Sequence, residues 1–394
     1  MGHVDPKILR ALQTSMPKTP PNIDFHIKRD RYHSAGPDIT DREIAAAAEA
    51  AANGWYSNYR RHIERFEDAF REYLGVKYAL ATSSGTAALH LCLAAAGIGP
   101  GDEVIVPDIT WVATGNVVRL LGAEPVCVDV LSENWTIDPS KIEERITEKT
   151  KAIFPVHLYG HPADMDVINA IAKKHGLLVI EDAAPAVAST YKDRKAGTMG
   201  LAAGFSFQGA KLMVTGQGGM LVTDDKTLYD RAVSLIEHGR EPEHGVFYSG
   251  KVGYNYKMPA MCAAMGTVQL ERLDQLVMKK RRQQHYYQQR LGHRDEISFV
   301  VEQPGSYVNF AYPSVMINSA AITRDLLFSR LRERNIDSRP SFPRQSAMPN
   351  FADADTPVSR DIEENGWNLP TAFYFDEDDM DYICTSIEEC LDDA

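Results

Sequence analysis

The stretch AIFPVHLYGHPADMDVINAIAKKHGLLVIED, residues 152–182, contains the pattern that decides the fold. It opens and closes with short apolar runs, AIFPV and LLVIED, which are rich in the branched residues that favour strands. The segment between them, DMDVINAIAKKHG, has the length of a helix. A strand, a helix and a second strand in this order are typical of a parallel sheet that is covered by helices.

The same alternation extends outward along the chain. The apolar runs EVIVP (103–107) and PVCVDV (125–130) predict further strands, and a capping box of Thr40 and Glu43 predicts the start of a helix before them. From about residue 270 the pattern changes to long charged helical segments, followed by a shorter region of strands and helices. We therefore predict an α/β protein with an N-terminal extension (1–35), a large domain (36–270) and a small C-terminal domain (271–394).

Composition narrows the class of protein. The chain has 394 residues, 44% of them hydrophobic, and a formal net charge of -12, which argues against a general nucleic-acid surface. No run reaches the roughly 18 apolar residues of a membrane span. The five cysteines show no paired metal-ligand spacing and lie mostly in apolar contexts, so we expect reduced core residues, no metal site and a cytoplasmic location.

Ligands of open parallel sheets bind beyond the carboxyl ends of the strands, so the residues that follow the apolar runs are the candidates for chemistry. The first group is Ser84, Gly85 and Thr86, which open the helix of TSSGTAALHL. Free backbone N–H groups and the helix dipole favour an anion at such a position. The alternative is that this group only caps the helix.

Two more strand ends carry unusual side chains. Trp111 follows the run EVIVP, where its indole is either a core side chain or a surface that stacks on a flat heterocycle. Asp182 ends the run LLVIED, where a buried carboxylate is costly unless it is paired with a cation. It either caps the next helix or holds a protonated ring nitrogen.

The last candidate is Lys211, in FSFQGAKLMVTGQGG (205–219). A lysine is usually a solvated surface charge, but the apolar neighbours here would desolvate the ammonium group and lower its pKa, which makes a nucleophile. Ser206 adds a hydroxyl nearby. An anion site, an aromatic surface, a carboxylate and a desolvated lysine together describe a site for pyridoxal 5'-phosphate (PLP).

Two segments of the sequence resemble nucleotide-binding motifs. GFSFQGAKL begins at Gly204 and nearly matches the phosphate loop of nucleoside triphosphatases, but Ala210 separates Gly209 from Lys211 and Leu212 replaces the hydroxyl that binds Mg²⁺. GIGPGD (97–102) lies between a helix and a strand, the wrong order for a dinucleotide fingerprint. Neither motif is therefore predicted to bind a nucleotide.

From about Asp38 to its C-terminus the sequence resembles the DegT/StrS sugar aminotransferases, which are fold-type I PLP enzymes. The likeness is carried by a set of segments: SSGTAALHL, GIGPGDEVIVP, TKAIFPVHLYG, VIEDAA, FSFQGAK, TGQGGMLVTDD, VGYNYKMPAMCAAMG, QLERLD, SRPSF and NLP. The resemblance implies a large domain with a mostly parallel seven-stranded sheet between helices, and a smaller α/β domain.

The resemblance also implies roles for residues. Lys211 would bind the cofactor covalently, Asp182 would pair with its ring nitrogen and Trp111 would stack on its ring. The remaining cofactor contacts would come from Ser84, Gly85, Thr86 and Ser206, and from Asn255 of the neighbouring subunit. The implied active form is a homodimer with shared sites, and the implied amino donor is glutamate.

Within the family, HLYG, SRPSF and NLP resemble the branch of GDP-perosamine synthases, which implies a nucleotide-linked 4-keto-6-deoxy sugar as acceptor and a setting in surface polysaccharide synthesis, including O-antigen. Alternatives are a keto-cyclitol aminotransferase, and a PLP-binding protein without turnover. A dehydratase is disfavoured because that branch replaces the lysine with histidine. Pro185 stands where the family usually has Gln or Glu that touches the sugar. Candidates for substrate contact are Pro185, Arg60, Arg61, His62, Arg339 and Arg344.

Overall fold

The computed structural model describes residues 31–393, so residues 1–30 of the predicted N-terminal extension, and Ala394, lie outside the described residues. Thr40 starts the first helix as predicted: its side chain caps the helix, and its N–H donates to Glu43 Oε2 at 2.8 Å. Within the described range the α-helices are α1 (Asp41–Asn53), α2 (Arg61–Leu74), α3 (Gly85–Ala96), α4 (Ala113–Leu120), α5 (Met165–His175), α6 (Lys226–Ile236), α7 (Ala260–Glu271), α8 (Leu273–Leu291), α9 (Arg324–Glu333), α10 (Pro357–Asn365) and α11 (Glu377–Asp392).

The larger sheet has seven strands in the order β1-β9-β8-β5-β4-β2-β3. All neighbouring pairs from β8 to β3 are parallel, whereas β9 runs antiparallel to both β8 and β1. The predicted α/β fold with a mostly parallel seven-stranded sheet is thus confirmed. Its strands are β1 (Tyr78–Thr82), β2 (Glu103–Pro107), β3 (Glu124–Val128), β4 (Thr150–Ile153), β5 (Leu178–Asp182), β8 (Ala202–Ser206) and β9 (Gly219–Thr223).

Two smaller sheets complete the described part of the chain. One has the order β10-β12-β14-β13, and the other is the three-stranded β11-β6-β7. The predicted boundary between residues 270 and 271 falls one residue before the end of α7 and remains a prediction. The strands of these sheets are β6 (Thr190–Tyr191), β7 (Arg194–Lys195), β10 (Ile297–Phe299), β11 (Ser306–Tyr307), β12 (Ser314–Ile317), β13 (Arg339–Pro340) and β14 (Gly366–Asn368).

Burial explains why the large sheet lies in the middle of the molecule. All five residues of β9 are buried, and helix α3 is apolar on nearly all sides because it packs on β8, β9 and two other helices, α4 and α6. A helix of this composition is stable only when it is covered on all faces. This packing fixes the N-terminus of α3 beside the ends of β1 and β8.

Two buried carboxylates join the C-terminal part of the chain to the large sheet. Asp108, directly after β2, accepts hydrogen bonds from the N–H and the hydroxyl of Ser346 at 2.7 and 2.6 Å. Asp129, directly after β3, accepts from the N–H and the hydroxyl of Ser359 at 2.8 and 2.7 Å. Because both carboxylates are almost fully buried, losing these donors would leave charges without compensation. The segment from 339 to 359 is therefore fixed against the strand ends.

Residues 31–37 run along the same C-terminal part of the chain. The N–H of Tyr32 donates to Asn335 O at 2.9 Å, and the N–H of Thr371 donates to Ser34 O at 2.9 Å. Residues 34 and 35, which the sequence assigned to an N-terminal extension, thus belong to the packed structure.

All five cysteines are free; four are buried and Cys262 is partly buried. None of the helices formed by residues 31–393 is long and apolar enough to cross a membrane.

Candidate active site

A cavity of about 490 Å³ lies at the carboxyl ends of the large sheet. Strands β5 and β8 contribute their last residues, Asp182 and Ser206, and the segments after β1, β2 and β4 contribute others. This is the position at which open α/β sheets bind ligands, and the volume suits a small organic molecule.

Most of the predicted site residues line this one cavity. They come from five separate segments of the chain. The strands of the large sheet bring four of these segments together at their ends, and the fifth, with Arg339, comes from β13 of a smaller sheet. The predicted residues that line it are Ser84, Gly85, Thr86, Trp111, Asp182, Pro185, Ser206, Lys211 and Arg339.

One end of the cavity is built to hold an anion. Ser84 caps helix α3, since its hydroxyl oxygen accepts from the N–H of Ala87 at 3.1 Å. Ser84 thus caps the helix and also lines the cavity, beside Gly85 and Thr86. The first N–H groups of a helix have no partner within the helix, so this turn can bind an anion. A Cβ added to Gly85 would lie only 2.5 Å from the Cβ of Ser206. Glycine at this position therefore allows the two phosphate candidates to approach each other.

The carboxylate of Asp182 is 4% exposed and is held by two donors. Thr114 Oγ1 donates to Oδ2 at 2.7 Å, and the N–H of Ala184 donates to Oδ1 at 3.1 Å. Burial raises the pKa of Asp182, while these hydrogen bonds and the charge of Lys211 oppose the rise. Ala184 lies in a turn, so the alternative that Asp182 caps a following helix is wrong.

Lys211 lies in the turn after β8, where its N–H donates to Gln208 O at 2.8 Å. Its Nζ is 6.0 Å from the centroid of the Tyr312 ring. Burial lowers the pKa of Lys211, and the charge of Asp182 acts in the opposite direction. The side chain is partly buried in the cavity wall, so the alternative of a solvated surface charge is disfavoured.

Trp111 is 60% exposed, so the alternative that it is a core side chain is wrong. Its ring centroid lies 5.6 Å from that of Phe342, with an angle of 55° between the planes. An indole that is open on the cavity side offers an apolar face for a flat ring.

The remaining predicted residues are not brought to this cavity. Arg60 forms an ion pair with Glu64, with 2.9 Å between Nε and Oε1. Arg344 pairs with Glu363, also at 2.9 Å. Both guanidinium groups thus already have a carboxylate partner. The predicted residues outside the cavity of their own chain are Arg60, Arg61, His62, Asn255 and Arg344.

Sequence reasoning missed several residues of the cavity wall. Thr110 could have been found, because it precedes Trp111 at the same strand end. Tyr159 could also have been found, because it lies in HLYG, in the segment after β4. Other wall residues carry no local signal and are brought in by packing. They include Tyr312, Phe342 and Asn368 from the C-terminal part of the chain, and Ser34 and Ala35 from the segment before α1.

These residues fit PLP by the chemistry of their donors. The helix terminus and hydroxyls at one end match a phosphate, and the open indole matches an aromatic ring. Lys211 supplies an amine for an aldehyde, and Asp182 supplies an acceptor for a ring N–H. Both side chains line the same cavity, so one small molecule can contact both of them.

Fold and cavity together define a fold-type I enzyme of the aminotransferase class. The model of the DegT/DnrJ/EryC1/StrS aminotransferase family matches residues 37–388. The chain belongs to this family.

Relatives with known names agree with this assignment. The chain is 40% identical to GDP-perosamine synthase of Caulobacter vibrioides over 92% of its own length and 98% of the relative's. It is 39% identical to GDP-perosamine synthase of Escherichia coli O157:H7, over 91% and 98% of the two lengths. Among solved structures, DesI in the presence of its TDP-sugar product is 29% identical, with a TM-score of 0.85 over 91% of this chain and 92% of that one.

Proposed function

We propose that this protein is a PLP-dependent aminotransferase that moves the amino group of glutamate to a nucleotide-linked keto sugar. The observation that carries the proposal is that Lys211 and Asp182 line the same cavity. The charge of each group acts on the pKa of the other. Membership of an aminotransferase family supports the reaction type.

PLP, when bound, would supply the carrier for the amino group between the donor and the ketone. Asp182 would keep the ring nitrogen protonated, because a buried carboxylate is stable there only beside a positive charge. Lys211 would hold the cofactor and move a proton at the donor's α-carbon. Ser84, Gly85, Thr86 and Ser206 would bind the phosphate, and Trp111 would cover the ring.

The names of relatives support the acceptor. Two of them are GDP-perosamine synthases, and the solved DesI structure contains a TDP-sugar product. We propose a nucleotide-linked 4-keto-6-deoxy sugar and a role in polysaccharide biosynthesis. Arg339 lines the cavity and its guanidinium forms no ion pair within residues 31–393, so it is available for the diphosphate.

We also propose a homodimer with shared sites. Asn255 is exposed and lies outside the cavity of its own chain, so it can contact a phosphate only in another subunit. Large apolar side chains are exposed in two loops, which is typical of an interface. They are Trp55 and Tyr56 in one loop, and Val246, Phe247 and Val252 in the other.

The proposed function is tested by the absorbance of the purified protein loaded with PLP. Adding glutamate should remove the visible band of the lysine-bound cofactor, and adding a GDP-linked 4-keto-6-deoxy sugar should restore it. A band that glutamate leaves unchanged would favour a PLP-binding protein without turnover. If glutamate bleaches the band and a keto-cyclitol, but no nucleotide-linked keto sugar, then restores it, this result would show that the acceptor is a keto-cyclitol.

A further inference from the structure

Two buried threonines form a hydrogen-bonded chain that ends on Asp182. Thr110 and Thr114 are 1% and 0% exposed, and their Oγ1 atoms lie 3.1 Å apart. Thr114 Oγ1 lies 2.7 Å from Asp182 Oδ2. Thr110 and Asp182 both line the cavity, whereas Thr114 lies behind it, in the first turn of α4. The hydrogen-bonded chain therefore connects two points of the cavity wall, Thr110 and Asp182.

The direction of these hydrogen bonds follows from the chemistry of the three groups. An ionised carboxylate can only accept, so Thr114 must give Asp182 its single hydroxyl hydrogen. Thr114 then has only lone pairs to offer Thr110, and Thr110 must donate to it. If the chain ran the other way, lone pairs of Thr114 would face the carboxylate. The two hydroxyls are thus polarised in sequence toward Asp182.

Few other groups compensate the charge of Asp182. Ala184 supplies one backbone N–H to the opposite oxygen, at 3.1 Å. Lys211 and His157 act only through their charge at a distance, and the nearby Cys92 on α3 is a buried thiol. Thr114 is therefore the single side chain within residues 31–393 that donates a hydrogen bond to this carboxylate.

Resting on the proposed function, we propose that Thr114, oriented by Thr110, is a positioning residue that holds Asp182 ionised and aimed at the ring nitrogen of PLP. It touches neither cofactor nor substrate in this role and acts through Asp182. The carboxylate that faces the ring nitrogen is thereby oriented by the first turn of α4 and by Thr110 before it, rather than by the strand that carries the carboxylate.

The proposal is tested with Thr114→Val, which keeps the shape of the side chain and removes the donor, and with Thr114→Ser as the matched control that keeps it. Each variant is reconstituted with PLP labelled with ¹⁵N at the ring nitrogen. We expect the ¹⁵N chemical shift to report a smaller protonated fraction in Thr114→Val, and the wild-type fraction in Thr114→Ser. The rate constant for bleaching by saturating glutamate should fall about tenfold to a hundredfold in Thr114→Val, which is the range for one hydrogen bond to a charged group.

A double-mutant cycle separates this role from a structural one. In the Asp182→Asn background, Thr114→Val should have little further effect on the bleaching rate, because the residue acts through the carboxylate. Equal additional loss in that background, or a wild-type ¹⁵N shift in Thr114→Val, would overturn the proposal. If Thr114→Val does not fold, Thr110→Val gives the same test with a smaller expected loss of bleaching rate. A wild-type ¹⁵N shift and bleaching rate in Thr110→Val would contradict the proposed hydrogen-bonded chain. Failure of the proposed function is recognised separately, by a wild-type protein that glutamate does not bleach.

Discussion

The cavity has two walls of different origin. The strand-end wall consists of residues directly at the ends of β1, β5 and β8, namely Ser84, Gly85, Thr86, Asp182, Ser206 and Lys211. The opposite wall, which we call the small-sheet wall, consists of Arg339, Pro340, Phe342 and Asn368 from β13, β14 and the segment between them, with residues 34 and 35 beside it. The first wall contains the groups proposed to bind PLP. The second contains Arg339, which pairs with no carboxylate in the described part of the chain.

The two walls are also held differently. The strand-end wall is part of the sheet and the first turn of α3, so its geometry follows from main-chain hydrogen bonds. The small-sheet wall depends on side chains, above all on Asp108, which accepts two hydrogen bonds from Ser346, and on Gln345, whose Nε2 donates to Pro107 O at 2.9 Å. This difference suggests that cofactor chemistry and acceptor choice can be altered separately.

The largest effect is expected at the strand-end wall. Lys211→Ala should lower kcat with glutamate and the keto sugar by about 10⁴-fold, because the variant loses the group proposed to carry the proton. The thermal unfolding temperature should not fall much, since the substitution removes a buried amine that burial already disfavours. Normal kcat in this variant would refute the role of Lys211.

The same variant can show whether two chains share a site. Asn255→Asp places a negative charge where the phosphate of the neighbouring chain is proposed to bind, and should also be inactive. In a mixture of equal amounts, half of the dimers carry one intact site, so activity should return to about a quarter of the wild-type value. A mixture that stays inactive while mixed dimers form would exclude the shared site.

Most of the strand-end wall could be predicted because its residues lie at the end of a recognisable strand or at the start of a helix. Lys211, five positions after β8, was predicted from its apolar neighbours instead. LLVIED ends in Asp182, and SSGT opens a helix, so the local pattern and the rule for parallel sheets together bring them to one edge. The small-sheet wall could not be predicted in this way. Tyr159 and Phe342 are 183 positions apart and meet through a hydrogen bond from the N–H of Phe342 to the Tyr159 hydroxyl at 3.2 Å. No periodicity of the sequence encodes such a contact.

The arginines show the same limit. Arg339 and Arg344 stand five positions apart in one basic segment and were equally good candidates by sequence. The structure distinguishes them, because Arg344 forms an ion pair with Glu363 whereas Arg339 lines the cavity and has no carboxylate partner among residues 31–393. A partner at position 363 cannot be foreseen from the charge pattern around 344.

A smaller effect is expected at the small-sheet wall. Arg339→Gln should raise KM for the nucleotide-linked sugar about tenfold to a hundredfold, which is the range for one lost hydrogen bond to a charged group. The rate constant for bleaching by saturating glutamate should change much less. Arg344→Gln is the matched control and should leave both constants near the wild-type values. Equal losses in the two half-reactions would show that the walls are not separable.

The smallest effect is expected behind the strand-end wall, at Glu67 on α2. This side chain is 9% exposed, and its Oε1 accepts from the N–H of Ala81 in β1 at 2.8 Å. Burial raises the pKa of Glu67 to about 7, although the hydrogen bond from Ala81 and the charge of Arg60 oppose the rise. The carboxyl group lies outside the cavity, so it should affect stability without affecting either wall.

The sign of the pH dependence follows from linkage. The folded chain holds the Glu67 proton up to a pH near 7, whereas the unfolded chain releases it near 4.5, so the folded state binds more protons between these values. The contribution of Glu67 to the free energy of unfolding should therefore fall as pH rises from 4.5 to 7, by on the order of 3 kcal/mol. Glu67→Gln keeps an acceptor for Ala81 and cannot ionise. Urea unfolding of both proteins across this window should show the variant gaining stability relative to wild type as pH rises, with unchanged kcat, and a difference that is flat with pH would mean that Glu67 is already ionised in the fold.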